Sequence, residues 1–179
     1  KTIVVVGTGS LGSSMIKLVA PLGANIIGVN RKGGMVEGCS KVVTTEKIDI
    51  VLPEADILYL ALPETPDTKN LINRKRLNLL KPSCGVVNIG RQSAIDYEAL
   101  CEKLNNKELA GAILDVFTHE PIETSSKLWN TPNLVITPHV SSDDHGSYVK
   151  MTLDLFIKNL KLFISNKELL NQIDKDLGY

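Results

Sequence analysis

Short apolar runs recur along the chain, separated by stretches long enough to hold a helix. The runs are rich in Val and Ile, and such near-continuous apolar segments are typical of strands buried on both faces of a parallel sheet. They cover residues 2–6, 25–29, 57–62, 85–89, 112–116 and 134–137. We therefore predict six parallel strands.

Helical spacing of apolar residues fills two of the intervals. One helical face is shared by Leu11, Met15, Leu18, Val19 and Leu22, and the spacing returns at Tyr97, Leu100 and Leu104. Asp96 is a plausible N-cap of the later helix, and Gly23 follows the earlier one where a C-terminal glycine is favoured. Alternating strands and helices predict an α/β fold with a doubly wound, Rossmann-type parallel sheet.

The strand–helix alternation stops after residue 144, and one long helix is predicted over residues 146–164. One apolar stripe along this helix consists of Val149, Leu153, Phe156, Leu160 and Ile164. A second stripe, on the nearly opposite face, consists of Met151, Leu155 and Leu162. A helix with two apolar faces needs two partners. We divide the chain into a domain of residues 1–144 and a helical segment of residues 145–179.

Composition narrows the class of protein. Hydrophobic residues make up 43% and charged residues 22%, and 20 basic residues balance 20 acidic ones, so nothing points to nucleic acid. No apolar run is long enough to span a bilayer and no cleavable leader is visible, so we expect a cytoplasmic protein. Cys39, Cys84 and Cys101 have neither disulfide-framework nor zinc-site spacing, which favours reduced thiols and no metal.

A glycine pattern follows the first predicted strand and opens the first predicted helix. In this setting Gly7 permits a tight turn, Gly9 lets the backbone approach a pyrophosphate, and Gly12 lets helix and strand pack closely. Amides at the helix N-terminus would then hold the phosphate charge. The alternative is a glycine-rich turn without a ligand, but the strand–turn–helix context favours a dinucleotide site.

The end of the second strand bears on which dinucleotide binds. An NAD site usually presents an acidic residue there to the adenosine ribose, whereas this chain has Asn30, Arg31 and Lys32. Without a carboxylate nothing repels a 2′-phosphate, and the two basic side chains could pair with it. We expect NADP to be favoured, with NAD possible; alternatively, Arg31 and Lys32 are solvated turn residues.

Four segments occur in order along the chain, each similar to a motif of one known family: LALPETPDTKNLIN, VVNIGRQSAIDYEAL, ILDVFTHEPI and LVITPHVSS. Together with the C-terminal NLKLFISNKELLNQIDKDLGY, they resemble the D-isomer-specific 2-hydroxyacid dehydrogenases, particularly the glyoxylate and hydroxypyruvate reductase-like members. The resemblance extends over essentially all 179 residues.

The resemblance implies three catalytic residues. Arg91 matches the arginine that contacts the substrate carboxylate and carbonyl oxygen, a task that suits a bidentate, permanently charged guanidinium. His139 matches the histidine that moves the substrate proton, and Glu120 its acidic partner. Without the family match, Arg91 would be a surface cation and His139 a structural or surface residue.

The resemblance also implies positions that contact the cofactor. Asp115 matches an acid near the nicotinamide, although it could instead serve in capping or an ion pair. The remaining matches, several of which would act through the backbone, are Ser10, Leu11, Leu62, Pro63, Ile89 and Gly90. Gln92 and Ser141–Ser142 depart from the family pattern, which affects substrate details. His119 and His145 match no catalytic position, and we expect them to be bystanders.

The implied activity is hydride transfer between NADP(H) or NAD(H) and a small 2-oxo or 2-hydroxy acid, in an enzyme expected to be a homodimer. Relatives carry an N-terminal segment that forms most of a substrate domain. Because this chain begins at the first strand, we expect a truncated form that binds cofactor with little activity, and whose long helix would pack toward the missing domain. The alternative is a non-catalytic dinucleotide sensor of the corepressor type.

Overall fold

A computed structural model describes residues 1–144, 146–176 and 178. The chain divides into two compact units, Lys1–His139 and Val140–Tyr179. Among the described residues, the first unit holds every strand and all the predicted catalytic residues, and the second holds the longest helix.

The first unit is built on a seven-stranded sheet in the order β3-β2-β1-β4-β5-β6-β7. Its strands are β1 (Thr2–Val6), β2 (Asn25–Asn30), β3 (Lys41–Thr44), β4 (Ile57–Leu60), β5 (Gly85–Asn88), β6 (Gly111–Leu114) and β7 (Leu134–Ile136). All six pairings are parallel. The carboxyl ends of the strands therefore share one edge, where ligands bind in sheets of this class.

Four helices connect the strands: α1 (Ser10–Val19), α2 (Ile48–Val51), α3 (Arg74–Leu77) and α4 (Tyr97–Asn105). The predicted cap of α4 is confirmed, because the Asp96 carboxylate accepts a hydrogen bond from the Ala99 amide at 2.9 Å. Gly23 ends the turn after α1 at φ 80°, a conformation that glycine adopts readily. Both boundary signals were visible in the sequence.

The core lies on both faces of the sheet, as the unbroken apolar strands predicted. Val4, Val6, Leu58 and Leu60 pack into one large cluster, whereas Ile3 and Val5 point to the other face and pack with α1 through Ile16. Because successive side chains of a strand alternate between faces, β1 and β4 serve both layers. The doubly wound fold is confirmed.

Three short elements escaped prediction. β3 has only four residues and begins with an exposed lysine, while α2 and α3 have four residues each. Segments this short show neither a full strand alternation nor two helical turns, so their periodicity is too weak to detect.

The second unit contains α5 (Tyr148–Ile164), which begins two residues after the predicted start. The chain then turns back along the helix, where the Asn159 side chain donates to the Leu170 carbonyl at 3.0 Å and accepts from its amide at 2.8 Å. Among the described residues, no helix combines the length and apolar character needed to cross a bilayer.

Candidate functional site

The glycine turn joins β1 to α1 at the carboxyl edge of the sheet. Gly7 has φ 92°, and a Cβ atom built on it would lie 2.5 Å from the Ala61 carbonyl oxygen. A Cβ on Gly12 would lie 2.0 Å from the Gly7 carbonyl oxygen. Both contacts are with backbone, which cannot swing aside, so side chains are excluded at these two positions.

Gly9 differs from its neighbours, because a Cβ atom on it would meet nothing within 4 Å. It is the N-cap of α1 and has no side chain to satisfy the first helical amides. Gly9, Ser10 and Leu11 are all exposed. The turn thus leaves a helix N-terminus open to solvent, which is the arrangement that binds phosphate in dinucleotide folds.

The Asn30 side chain is engaged in shaping its own turn. Its Oδ1 accepts from the Gly33 amide at 2.7 Å, and its Nδ2 donates to the Gly34 carbonyl and to Thr8 Oγ1, each at 3.1 Å. These bonds connect the end of β2 to the glycine turn. The side chains that extend from this turn into solvent belong to Arg31 and Lys32.

The chain ends of β4 and β5 approach closely beside the glycine turn. A Cβ atom on Gly90 would lie 2.5 Å from the Leu62 nitrogen and 2.6 Å from its oxygen. Ile89 donates its amide to the Leu60 carbonyl at 3.1 Å. Leu62, Pro63 and Ile89 are half-buried, so these positions offer mainly backbone and apolar surface to a ligand.

Arg91 follows β5 and is an exposed residue. Its Nη1 donates to the Gly90 carbonyl oxygen at 2.8 Å. Beneath it lies the fully buried Asn88, whose Nδ2 donates to the Arg91 carbonyl and whose Oδ1 accepts from the Gly90 amide, each at 3.1 Å. Asn88 therefore fixes the backbone that carries Arg91.

Asp115 follows β6 and is only 1% exposed. The Thr137 hydroxyl, which follows β7, donates to Asp115 Oδ1 at 2.6 Å. A buried carboxylate needs hydrogen-bond donors to offset the loss of water. The pair also joins the segments that lead to Glu120 and to His139.

Glu120 and His139 meet although 19 positions separate them. His139 Nδ1 lies 2.9 Å from Glu120 Oε2, and the Phe117 amide donates to Glu120 Oε1 at 2.8 Å. The hydrogen bonds from His139 and from Phe117 hold the pKa of Glu120 below its usual range. Glu120 also precedes a cis peptide bond to Pro121.

His139 has φ 57°, in the left-handed region that few residues with a side chain adopt. Such a conformation costs on the order of 1 kcal/mol and persists where neighbouring contacts maintain it. The imidazole side chain is 47% exposed, so its other ring nitrogen can be reached from solvent. The arrangement suits a group that exchanges a proton with a small ligand.

Sequence reasoning missed four polar residues that position the site: Thr8, Asn88, Tyr97 and Thr137. The Tyr97 hydroxyl accepts from Asn88 Nδ2 at 3.1 Å and donates to the Val116 carbonyl at 2.8 Å. Asn88 and Thr137 could have been suspected, because each is a polar residue at the end of an apolar strand. Tyr97 gave no such signal, because its spacing marked it as a core residue of α4.

A cavity of about 580 Å³ lies between the start of α4 and residues 117–128. Its lining includes Tyr97, Cys101, Phe117 and Leu128, together with the exposed His119. It lies apart from the glycine turn, because no residue of that turn lines it.

His145 is outside the described residues. Among those described, no three His, Cys, Asp or Glu side chains are grouped to hold a metal ion.

Comparison with known proteins gives one matching family and many solved relatives. The family model described as "D-isomer specific 2-hydroxyacid dehydrogenase, NAD binding domain" matches residues 1–141. A glyoxylate reductase of Thermococcus onnurineus is 34% identical over 96% of the chain and 53% of its own length.

Two crystal structures resemble the chain closely, each with a TM-score of 0.91 and 30% identity over 99% of the chain. One is a D-isomer specific 2-hydroxyacid dehydrogenase from Xanthobacter autotrophicus in complex with NADPH and MES, of which 72% is covered. The other is an NADPH-dependent glyoxylate/hydroxypyruvate reductase from Sinorhizobium meliloti with NADP and sulfate, of which 57% is covered. The chain spans about half the length of the curated glyoxylate and glyoxylate/hydroxypyruvate reductases that it matches over nearly its whole length.

Proposed function

The chain belongs to the D-isomer specific 2-hydroxyacid dehydrogenase family, and from that premise we propose that it is the dinucleotide-binding part of an NADP(H)-preferring oxidoreductase. Its substrate class is a small 2-oxo acid in the reductive direction and a 2-hydroxy acid in the other. Arg91, Glu120 and His139 are the residues proposed to act on the substrate.

The observation that carries this proposal is the Glu120–His139 contact at 2.9 Å. The two residues follow β6 and β7, and Arg91 follows β5, which pairs with β6. A cation for a carboxylate and an acid–base group are thus supplied by neighbouring strand ends. The reduction of a 2-oxo acid requires these two groups beside a hydride donor.

The glycine turn fits the cofactor in a way that other turns would not. Gly7 and Gly12 exclude side chains, and Gly9 leaves the N-terminus of α1 open, so a pyrophosphate can reach the helical amides. The nicotinamide end would lie toward Leu62, Ile89 and Asp115, as the family resemblance implies. When bound, the nicotinamide supplies or accepts the hydride.

The protein's own groups bind the substrate and move the proton. Arg91 holds the substrate carboxylate with its guanidinium fork, which limits rotation of the carbonyl. His139 gives a proton to the carbonyl oxygen during reduction and takes it back from the hydroxyl during oxidation. Glu120 holds the imidazole through Nδ1, so that Nε2 is the nitrogen that exchanges the proton.

Cofactor preference is tested by titrating this chain with NADPH and with NADH while following nicotinamide fluorescence. We expect tighter binding of NADPH, because Arg31 and Lys32 extend from a turn without a carboxylate. Replacing both (Arg31→Ala with Lys32→Ala) should reduce the ratio of the two affinities by about tenfold, the effect of losing about 1.4 kcal/mol of interaction with the 2′-phosphate.

The matched control is Lys75→Ala, which removes an exposed cation from α3 and should leave the ratio unchanged. If neither NADPH nor NADH bound, the proposed function would be contradicted. Clear preference for NADH in the unaltered chain would contradict only the NADP assignment.

A non-catalytic sensor of the corepressor type is not supported, because the relatives described above are named as reductases and dehydrogenases. The homodimer, the cytoplasmic location and the assignment of residues 145–179 to a substrate domain stay predictions. We also predict that this chain alone binds cofactor but has little activity. The reason is that closure by a second domain normally excludes water from such a site.

A further inference from the structure

One peptide group connects Tyr97 to the proposed reacting pair. The Tyr97 hydroxyl donates to the carbonyl oxygen of Val116 at 2.8 Å. The same peptide unit carries the Phe117 amide, which donates to Glu120 Oε1 at 2.8 Å. Glu120 Oε2 in turn contacts His139 Nδ1. An unbroken hydrogen-bonded path therefore runs from a phenol through a peptide to a carboxylate and an imidazole.

The path continues on the other side of Tyr97. Asn88 Nδ2 donates to the Tyr97 oxygen and to the Arg91 carbonyl, each at 3.1 Å. Tyr97 thus lies between the backbone that carries Arg91 and the peptide that holds Glu120. These two segments follow adjacent strands, β5 and β6, and α4 supplies the side chain that bridges them.

We propose that Tyr97 is a positioning residue for the Glu120–His139 pair, acting through the peptide group between Val116 and Phe117. The proposal depends on the proposed function only in regarding Glu120 and His139 as the reacting pair. A donor on a peptide oxygen polarises that peptide and strengthens the hydrogen bond given by its N–H group. The hydroxyl therefore both fixes the orientation of the peptide and strengthens its bond to Glu120.

The surroundings of Tyr97 suit such a fixed donor. Burial raises the pKa of the Tyr97 phenol, so the hydroxyl stays protonated at neutral pH and can always donate. Its ring packs edge-on against Phe117, with ring centroids 6.3 Å apart. The aromatic contact and the hydrogen bond thus hold the same short segment at two points.

The test measures the titration of Glu120 in this chain by carboxyl ¹³C NMR, without cofactor. Tyr97→Phe keeps the ring and removes only the hydroxyl. We expect it to raise the pKa of Glu120 by about 0.3–0.5 unit, because the Phe117 amide becomes a weaker donor. Tyr59→Phe, a matched change on β4 within the other core cluster, should leave the pKa of Glu120 unchanged.

A second measurement, on the unaltered chain, tests the proposal even if the variant misfolds. If the path is continuous, the ¹³C shift of Tyr97 Cζ follows the Glu120 titration with the same midpoint, while that of Tyr59 does not. The proposal is overturned if Tyr97→Phe leaves the pKa of Glu120 unchanged, or if Tyr97 Cζ does not respond to that titration. Neither readout depends on dinucleotide binding, so failure here is distinguishable from failure of the proposed function.

Discussion

Two regions of the carboxyl edge of the sheet are shaped by different means. At β1 and β4 the shape comes from side chains that are absent: Gly7 and Gly12 lie so close to other backbone that a Cβ atom would fit at neither. At β5, β6 and β7 the shape comes from side chains that are present and joined by hydrogen bonds, as between Thr137 and Asp115. The region at β1 and β4 is fixed by steric exclusion, and the region at β5, β6 and β7 by polar contacts between strands.

This difference determines which substitutions each region can tolerate. At the glycine turn an added side-chain atom clashes with backbone, whereas in the hydrogen-bonded network a substitution removes one bond at a time, each worth on the order of 1 kcal/mol. The contrast predicts an order of mutational effects, in which the glycine turn is the more sensitive part.

The largest effect is expected from Gly12→Ala. Its Cβ atom would lie 2.0 Å from the Gly7 carbonyl oxygen, so helix and strand must move apart. We expect a loss of about 3–5 kcal/mol in the free energy of unfolding, measured by urea denaturation, and a Tm lower by on the order of 10 °C. Gly9→Ala, with open space around its Cβ atom, should cost no more than about 1 kcal/mol. Equal losses in the two variants would refute the steric account.

An intermediate effect is expected from Thr137→Val, which keeps the shape of the side chain and removes its hydroxyl. The buried Asp115 carboxylate loses a donor at 2.6 Å, and we expect about 2 kcal/mol less stability by denaturant titration. Thr131→Val is the matched control, because its hydroxyl donates to the neutral carbonyl of Lys127 and should cost about 1 kcal/mol. If Thr131→Val lowers stability more than Thr137→Val does, the hydrogen bonds around Asp115 are not what stabilises the region at β6 and β7.

The smallest effect concerns pH. The pKa of Glu120 is lowered in the folded chain, so its contribution to stability is present above the unfolded value near 4.5 and is lost as the pH falls through the folded value. Stability of the unaltered chain relative to Glu120→Gln should therefore decline as the pH falls from about 5.5, one unit above the unfolded value, through the lowered folded value. Because the pair is solvent-exposed, we expect a change of a few tenths of a kcal/mol. If the stability advantage of the unaltered chain over Glu120→Gln instead increased as the pH fell, the ionised carboxylate would be destabilising.

The same contrast determines what the sequence could reveal. Apolar runs and the glycine spacing predicted six of the seven strands, the helices that follow β1 and β5, and the turn between β1 and α1, because these depend on local residue types. They failed for β3, whose four residues are only half-buried or exposed.

The proposed roles of His139 and Glu120 could be predicted only from the family resemblance, because the two residues are distant in the chain and neither has a distinctive sequence context. The hydrogen bonds made by Asn88 and Tyr97 could not be predicted from the sequence, because they depend on which strands are adjacent and on where α4 begins. Asn30 shows the same limit, because its side chain is engaged with Thr8 and the Gly33–Gly34 backbone, a set of contacts that the motif alone does not specify.

The order of the strands also governs the sequence of events during biosynthesis. Gly7 packs against Ala61, so the turn between β1 and α1 has this supporting backbone once β4 and the residue after it have been synthesised. His139 follows β7, which lies at the sheet edge beside β6, and it can meet Glu120 only after β7 has paired with β6. Because nascent chains fold from the N-terminus, the glycine turn can form early, whereas the contact between Glu120 and His139 requires β7 to have joined the sheet.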